Sequence, residues 1–255
     1  MLNVTINADD YGWSKSCSLA ILEAYEKKYI TTTTMMSTGD FFDEAVKLIR
    51  ESGLKDHVGI HFDLTEGVPL TSRIRNEPFF CDSNGIFHMH VNWHVPLNKK
   101  QKDCVYEELC AQAERFIKTG LKVHHADSHH HIHTAPFIYP IYKKVVDDYG
   151  IEKIRISRNI GKMSFKTKVA RSLIFNHLFI GNKRAYSNFF CFFEDISAIN
   201  NKSGVLEIMC HPDYDEKGRL IDRDGESSYD SPFGLELKDL LETLNKKKVR
   251  VLFNV

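Results

Sequence analysis

Residues 123–133, V-H-H-A-D-S-H-H-H-I-H, contain six of the 13 histidines of the chain. Neutral imidazoles can crowd together when they share a metal ion, and a metal centre is one interpretation of this run. The other interpretation is a polar surface loop. An expression tag is disfavoured, because the run lies in mid-chain and is interrupted by other residue types. If the segment is extended, the two-residue repeat of a strand places on one side Asp127, His129, His131 and His133. Asp127 is then a candidate for orienting a metal-bound histidine by accepting its second N–H.

Two adjacent carboxylates follow the first apolar segment, in the sequence N-A-D-D-Y-G of residues 7–12. Such a pair suits a metal ligand beside a general base. Adjacent side chains of a strand point to opposite faces, so Asp9 and Asp10 can enter one site only where the chain turns. Gly12 permits a turn there. The alternative is that one of the two aspartates caps the helix that follows.

Two more histidines lie at the ends of apolar segments. In G-I-H-F-D-L-T (residues 59–65), His61 and Asp63 lie on the face opposite to the apolar side chains. In E-I-M-C-H-P (residues 207–212), Glu207 and His211 share one face, and His211 could donate a proton to a leaving group. Each histidine alone is more typical of a structural residue than of a functional one.

Together these residue types describe a hydrolytic centre. One carboxylate and two histidines can bind a divalent ion and leave coordination positions open for water and substrate. An ion bound in this way lowers the pKa of water and polarises a carbonyl group, while a second, unligated carboxylate serves as the base. The residues therefore predict a metal-dependent hydrolase.

Short β-rich segments alternate with helical patterns along the whole chain. Strands are predicted at residues 2–8, 31–36, 57–65, 123–129, 153–157, 186–193, 205–211 and 249–255. Helices are predicted at residues 14–28 (with Ser14 as N-cap), 41–52, 100–119, 136–149, 162–180 and 235–247. This alternation implies right-handed βαβ units and a mainly parallel sheet, so a closed or nearly closed (β/α) barrel is favoured over an open doubly wound sheet. In either fold the polar strand ends meet at one edge of the sheet.

The composition excludes several classes of protein. The chain has 255 residues with 34 Lys+Arg and 34 Asp+Glu, so no overall charge favours nucleic acid or an anionic membrane. Neither a signal peptide nor a long apolar span is apparent. The six cysteines are scattered, which favours reduced thiols and a cytoplasmic location. No domain boundary or linker is apparent, and residues 1–255 are predicted to form a single domain.

The motifs N-A-D-D-Y-G, G-I-H-F-D-L-T, D-S-H-H-H-I-H and E-I-M-C-H-P occur in this order between residues 7 and 212, and this set resembles the YdjC-like carbohydrate deacetylases. These are also called chitooligosaccharide deacetylases and are similar to polysaccharide deacetylases. The resemblance implies a distorted (β/α) barrel of about seven strands that removes N-acetyl groups from amino sugars. It also implies one divalent metal ion, magnesium or zinc, with Asp10, His61 and His129 as ligands. Asp9 would be the general base and His211 the acid or electrostatic stabiliser.

One stretch departs from the family pattern. An R-x-P-R-like segment is expected after the fifth strand, and here it reads R-I-S-R, with Arg155 and Arg158 retained and the proline missing. The role of Arg155 is therefore left open. The loop of residues 67–95, which contains His88, His90, Trp93 and His94, is expected to shape a pocket for a small oligosaccharide. A homodimer is the default expectation for the assembly.

Two alternatives remain at this point. A barrel hydrolase of another bond, such as a phosphoester, would need more cationic groups near the metal ion, for which Lys15, Arg155 and Arg158 are the candidates. A protein that stores or senses metal would need only residues 124–133. That alternative leaves Asp9, His61 and His211 unexplained.

Overall fold

The strands form one large parallel sheet and one small antiparallel sheet. The computed structural model describes residues 1–89, 91–93, 95–180, 184–199, 202–223, 235–247 and 249–253. Its strands are β1 (Leu2–Tyr11), β2 (Thr32–Met36), β3 (Val58–Phe62), β4 (Ala126–Ser128), β5 (Phe189–Phe192), β6 (Gly204–Cys210), β7 (Pro212–Tyr214), β8 (Leu220–Asp222), β9 (Leu235–Glu236) and β10 (Arg250–Val251). The parallel sheet has the order β4-β3-β2-β1-β6-β5, with β10 also paired to β1, and the antiparallel sheet has the order β7-β8-β9.

The two ends of the parallel sheet are joined through a single residue. Ile154 forms parallel bridges with Ala126 of β4 and with Ala185, which lies just before β5. Its N–H donates to the carbonyl of Arg184 at 2.8 Å, and its carbonyl accepts from the N–H of Tyr186 at 2.8 Å. The strand predicted at residues 153–157 is thus in the correct place, but its pairing shortens to one residue, Ile154, which forms both bridges. The sheet curls into a distorted barrel within one α/β domain, and the predicted fold class is confirmed.

Helices follow the strands, as the alternating pattern predicts. They are α1 (Lys15–Glu26), α2 (Phe42–Arg50), α3 (Ser72–Arg75), α4 (Lys99–Ile117), α5 (Tyr139–Asp148), α6 (Phe165–Val169) and α7 (Leu237–Lys246). A wide, π-type helix continues α6 over Ala170–Ile180. Ser14 caps α1, because its side chain accepts the N–H of Cys17 at 3.2 Å. The buried positions of α1 include Cys17, Ala20, Ile21 and Ala24, which form one stripe against the core.

The histidine run does not continue the fourth strand. Strand β4 ends at Ser128, and His129–Thr134 form tight 3₁₀ turns in which His130 (φ 49°) and His131 (φ 54°) adopt left-handed backbone conformations. An extended segment would alternate its side chains, but these turns spread them in several directions. The expectation that Asp127, His129, His131 and His133 share one side is therefore wrong.

Two other predictions fall partly on residues outside the described part of the chain. His90 and His94 of the 67–95 loop lie outside them, as do residues 254–255 of the last predicted strand. Within the described part of the chain, no helix is both long enough and apolar enough to cross a membrane.

Candidate active site

The end of β1 brings both of its carboxylates into one site. The pairing of β1 with β2 is irregular between Ala8 and Tyr11, and Asp10 has a left-handed φ of 69°. An irregularity of this kind re-aims side chains that would otherwise alternate between faces. Gly12 follows with φ 89°. The sequence predicts a turn at this place, and the turn begins at Asp10 itself.

Asp10, His61 and His129 converge, although they are far apart along the chain. Oδ1 of Asp10 lies 3.1 Å from Nε2 of His61 and 3.0 Å from Nδ1 of His129. All three residues are buried, and each offers a ligand atom within 4.8 Å of the others. The second oxygen of Asp10 pairs with Arg223 at 3.0 Å. The three residues that the family resemblance assigns to the metal ion therefore lie close enough to share one.

The chemistry of these donors fits a divalent cation. Among the described residues, Nε2 of His61 is buried without a hydrogen-bond partner, although it lies 3.1 Å from Oδ1 of Asp10. Burial would lower the pKa of His61, but Asp127 and Asp10 hold it well above its usual range. Burial likewise opposes the charged form of His129, yet Asp10 and Glu66 raise its pKa to about 10. A positive charge between these carboxylates stabilises them, and a cation bound to neutral imidazoles would supply that charge.

Each of the two histidines has its other nitrogen on a second carboxylate. Nδ1 of His61 lies 2.6 Å from Oδ1 of Asp127, whose other oxygen accepts from Thr34 at 3.1 Å. Nε2 of His129 lies 2.9 Å from Oε2 of Glu66. The sequence singles out Asp127 as a residue that orients a ligand, and Asp127 does contact His61. No motif or periodic pattern of the sequence indicates Glu66 as a site residue, because it lies in a loop and belongs to none of the motifs.

Arg155 is the residue whose importance the sequence leaves open. Its side chain is fully buried, and its two terminal nitrogens lie 2.6 and 2.7 Å from the two oxygens of Asp9. It also contacts Asp127 at 2.7 Å and Glu207 at 2.7 Å. Burial would raise the pKa of Asp9, but the Arg155 guanidinium holds it well below its usual range. The missing proline of the R-I-S-R stretch therefore does not remove Arg155 from the site.

His211 follows β6 and lies beside Asp222. Its backbone N–H donates to Oδ1 of Asp222 at 2.8 Å, and its Nδ1 lies 3.7 Å from the same oxygen. Asp9, His61, His129 and His211 line one cavity of about 210 Å³. The five residues predicted for the site are thus brought together: four line the cavity, and Asp10 contacts His61 and His129.

Two further histidines of the run, His131 and His133, have other contacts. His133 is buried between the Ser128 hydroxyl at 2.5 Å and the Arg155 carbonyl at 3.2 Å, and burial lowers its pKa to about 3. The ring of His131 stacks on Phe192. In the described part of the chain, neither His131 nor His133 belongs to a group of side chains close enough to share an ion. The run is therefore not a cluster of equivalent ligands.

A curled parallel sheet with buried aspartate and histidine side chains near the carboxyl ends of its strands defines a barrel protein with a candidate metal centre. The family model described as YdjC-like protein matches residues 3–250. The chain belongs to the YdjC-like family, as its motifs indicate.

Relatives with curated names match over most of their length. A carbohydrate deacetylase of Brevibacillus brevis is 31% identical, with 98% of each chain covered. A chitooligosaccharide deacetylase of Escherichia fergusonii is 34% identical over 81% of this chain and 80% of the relative. A solved structure from Enterococcus faecalis, provisionally named a cellobiose-phosphate cleavage protein, superposes with a TM-score of 0.74 at 23% identity, covering 98% of this chain and 96% of the other. That structural likeness concerns the fold.

Proposed function

We propose that this protein is a metal-dependent hydrolase that removes N-acetyl groups from amino sugars, with chitooligosaccharides as the substrate class. The observation that carries the proposal is the convergence of Asp10, His61 and His129 beside Asp9, which Arg155 holds by two contacts. Family membership and relatives named carbohydrate and chitooligosaccharide deacetylases support the reaction.

In this mechanism Asp10, His61 and His129 would hold the divalent ion. A divalent ion bound there would lower the pKa of a water molecule and offer positive charge to the oxygen of the acetyl carbonyl. Asp9 accepts a proton from the attacking water, and Arg155 keeps Asp9 ionised and fixes its direction. His211 lines the same cavity and donates a proton to the departing amine, while Asp222 fixes the backbone of His211. The products are acetate and a glucosamine-type amine.

The donor set favours zinc, or another ion that prefers imidazole, over magnesium. Magnesium prefers an octahedral shell of oxygen ligands, whereas zinc binds one carboxylate and two histidines readily. Elemental analysis of the purified protein tests this choice, which the resemblance to the family leaves between the two ions.

The cavities around the site support a substrate longer than one sugar. His130 lines the 210 Å³ cavity and also two neighbouring cavities of about 520 Å³ and 410 Å³, both of which are bordered by Trp93. Concave surfaces of this size with aromatic walls are typical of sites for small organic ligands. The 67–95 loop contributes Trp93, as expected for a loop that shapes the sugar pocket.

Hydrolysis of a phosphoester is the weaker candidate. Two of the three cationic candidates are engaged elsewhere, since Arg155 is paired with three carboxylates and Arg158 with Asp195 at 2.6 Å. The third, Lys15, is exposed at the start of α1. Acetate release from N-acetylglucosamine oligomers and phosphate release from p-nitrophenyl phosphate, measured on the same metal-loaded protein, separate the two reactions. The cytoplasmic location and the homodimer stay predictions.

The role of Asp9 is tested by Asp9→Asn. We expect the variant to bind metal like the parent but to lose turnover by about two to four orders of magnitude, because the amide cannot accept the proton. Steady-state acetate release and metal content are measured together, with the exposed Asp40→Asn as the control. Parental turnover in Asp9→Asn would show that Asp9 is not the base.

A further inference from the structure

His129 lies between two carboxylates, one on each ring nitrogen. Nδ1 faces Oδ1 of Asp10 at 3.0 Å, and Nε2 faces Oε2 of Glu66 at 2.9 Å. A neutral imidazole has one protonated nitrogen and one nitrogen with a free lone pair. The nitrogen that carries the proton therefore decides which side of the ring can bind an ion.

The loop that carries Glu66 is fixed by buried polar contacts. Oδ1 of Asp63 accepts the N–H of Thr65 at 2.8 Å and the N–H of Glu66 at 3.2 Å, which forms a tight turn. The backbone of Asp63 is held in turn by the side chain of Gln112, at 2.9 Å and 2.7 Å. Gly67, with φ 71°, continues the turn and leaves room beside the ring of Trp13. Glu66 thus reaches His129 from a rigid support, although its own side chain is 32% exposed.

His61 shows the same arrangement with its nitrogens exchanged. Its Nδ1 contacts Asp127 at 2.6 Å, and its Nε2 faces Oδ1 of Asp10. A carboxylate that accepts the second N–H of a metal-bound histidine fixes both the tautomer and the ring orientation. When each outer carboxylate accepts the N–H of its histidine, both histidines therefore present a lone pair beside the same oxygen, Oδ1 of Asp10.

We propose that Glu66 is a positioning residue for the metal centre: its carboxylate accepts the Nε2 proton of His129 and so makes Nδ1 the nitrogen that binds the ion. This inference rests on the metal site of the proposed function. It assigns opposite ligand nitrogens to the two histidines, Nε2 in His61 and Nδ1 in His129.

A series of substitutions at Glu66 tests the assignment by zinc affinity, measured in competition with a chelator. Glu66→Ala removes the acceptor, and we expect the affinity for zinc to fall by about 10- to 100-fold. Glu66→Gln keeps an oxygen that can accept the Nε2 proton but loses the charge, so a smaller loss of about two- to fivefold is expected. If Glu66 acted only through its negative charge, Glu66→Gln would lose as much as Glu66→Ala. The exposed Glu152→Ala serves as the control for removal of a glutamate.

The tautomer gives a second readout that does not depend on activity. In the zinc-loaded parent, long-range ¹H–¹⁵N correlation spectra should place the His129 proton on Nε2, with the signal assigned by its loss in His129→Asn. A proton on Nδ1, or zinc affinity in Glu66→Ala within about twofold of the parent, overturns the proposal.

The same titrations separate this proposal from the proposed function. If the parent binds zinc but releases acetate from no acetylated sugar, the deacetylase assignment fails, and the Glu66 series still gives its result. If the parent binds no zinc, the Glu66 proposal is overturned, whereas the proposed function is decided separately by acetate release in the presence of magnesium.

Discussion

At the residue scale, the barrel interior concentrates carboxylates around a single guanidinium. Asp9, Asp127 and Glu207 all contact Arg155, and all four side chains are buried. Burial raises the pKa of Glu207 to about 7 even though Arg155 opposes this effect. A buried charge is tolerated only when it is paired and hydrogen-bonded. Arg155 therefore serves the fold as well as the proposed base.

Replacement of Arg155 should cost stability as well as activity. Arg155→Met leaves three buried carboxylates without their partner, and we expect the free energy of unfolding to fall by about 3–5 kcal/mol. Urea denaturation monitored by circular dichroism measures the loss. Arg158→Met is the matched control, because Arg158 is partly exposed and, within the described residues, forms an ion pair with one carboxylate, that of Asp195. Equal unfolding midpoints for Arg155→Met and the parent would contradict the structural role of Arg155.

At the scale of elements, the turns after β4 decide which histidine faces Asp10. Strand β4 carries Asp127 to His61, and the tight turns that follow place His129 against Asp10 while His133 turns back to Ser128. One short segment thus supplies a candidate ligand, an orienting carboxylate and a buried structural ring. The histidines differ in role because the backbone changes direction between them.

Single replacements in this segment should separate ion binding from stability. We expect His129→Ala to lose the ion, whereas His131→Ala keeps a metal content of about one ion per chain. We expect His133→Ala also to keep the ion but to lower the free energy of unfolding by about 1–3 kcal/mol, since it leaves buried hydrogen-bonding groups unpaired. Metal analysis and thermal unfolding of the three variants provide the measurements. A protein that stores metal through the run would instead lose capacity in all three.

At the scale of the whole molecule, the strand ends and the 67–95 loop together form an extended concave surface. The cavity at the candidate metal centre has two neighbours, and Trp93 borders both of them. The ring of Trp93 stacks on Phe80, with 6.0 Å between the ring centroids. Trp93 does not line the 210 Å³ cavity itself. Under the proposed function, its ring would therefore suit the second sugar of an oligosaccharide better than the first.

Removal of that ring should therefore affect long substrates selectively. For Trp93→Ala we expect KM for N-acetylglucosamine oligomers to rise by about tenfold, corresponding to the loss of one aromatic contact. The activity of this variant on the monosaccharide should change little, so the monosaccharide serves as the control substrate. Kinetics on substrates of one to four sugars measure the effect. Equal losses for all chain lengths would place Trp93 outside the binding surface for the second sugar.

The sequence by itself determined the order of strands and helices and the chemical types at the strand ends. Alternating apolar patterns are local features of a sequence, and so are the turn residue Gly12 and the helix-capping residue Ser14. For this reason the fold class and helix α1 could be predicted. Through their resemblance to the YdjC-like family, the motifs also indicated Asp9, Asp10, His61, His129 and His211 as site residues.

Only the tertiary structure decided the contacts between these residues. Three features depend on neighbours that are distant in the chain. They are the left-handed turn at Asp10, the 3₁₀ turns of residues 129–134 and the pairing of Arg155 with three carboxylates. The contact between Glu66 and His129 spans 63 positions and joins a loop to a turn, so no periodic pattern could indicate it. The periodicity of a sequence indicates which face of an element is buried. A site is defined by the distances between elements, and the packing of the elements sets those distances.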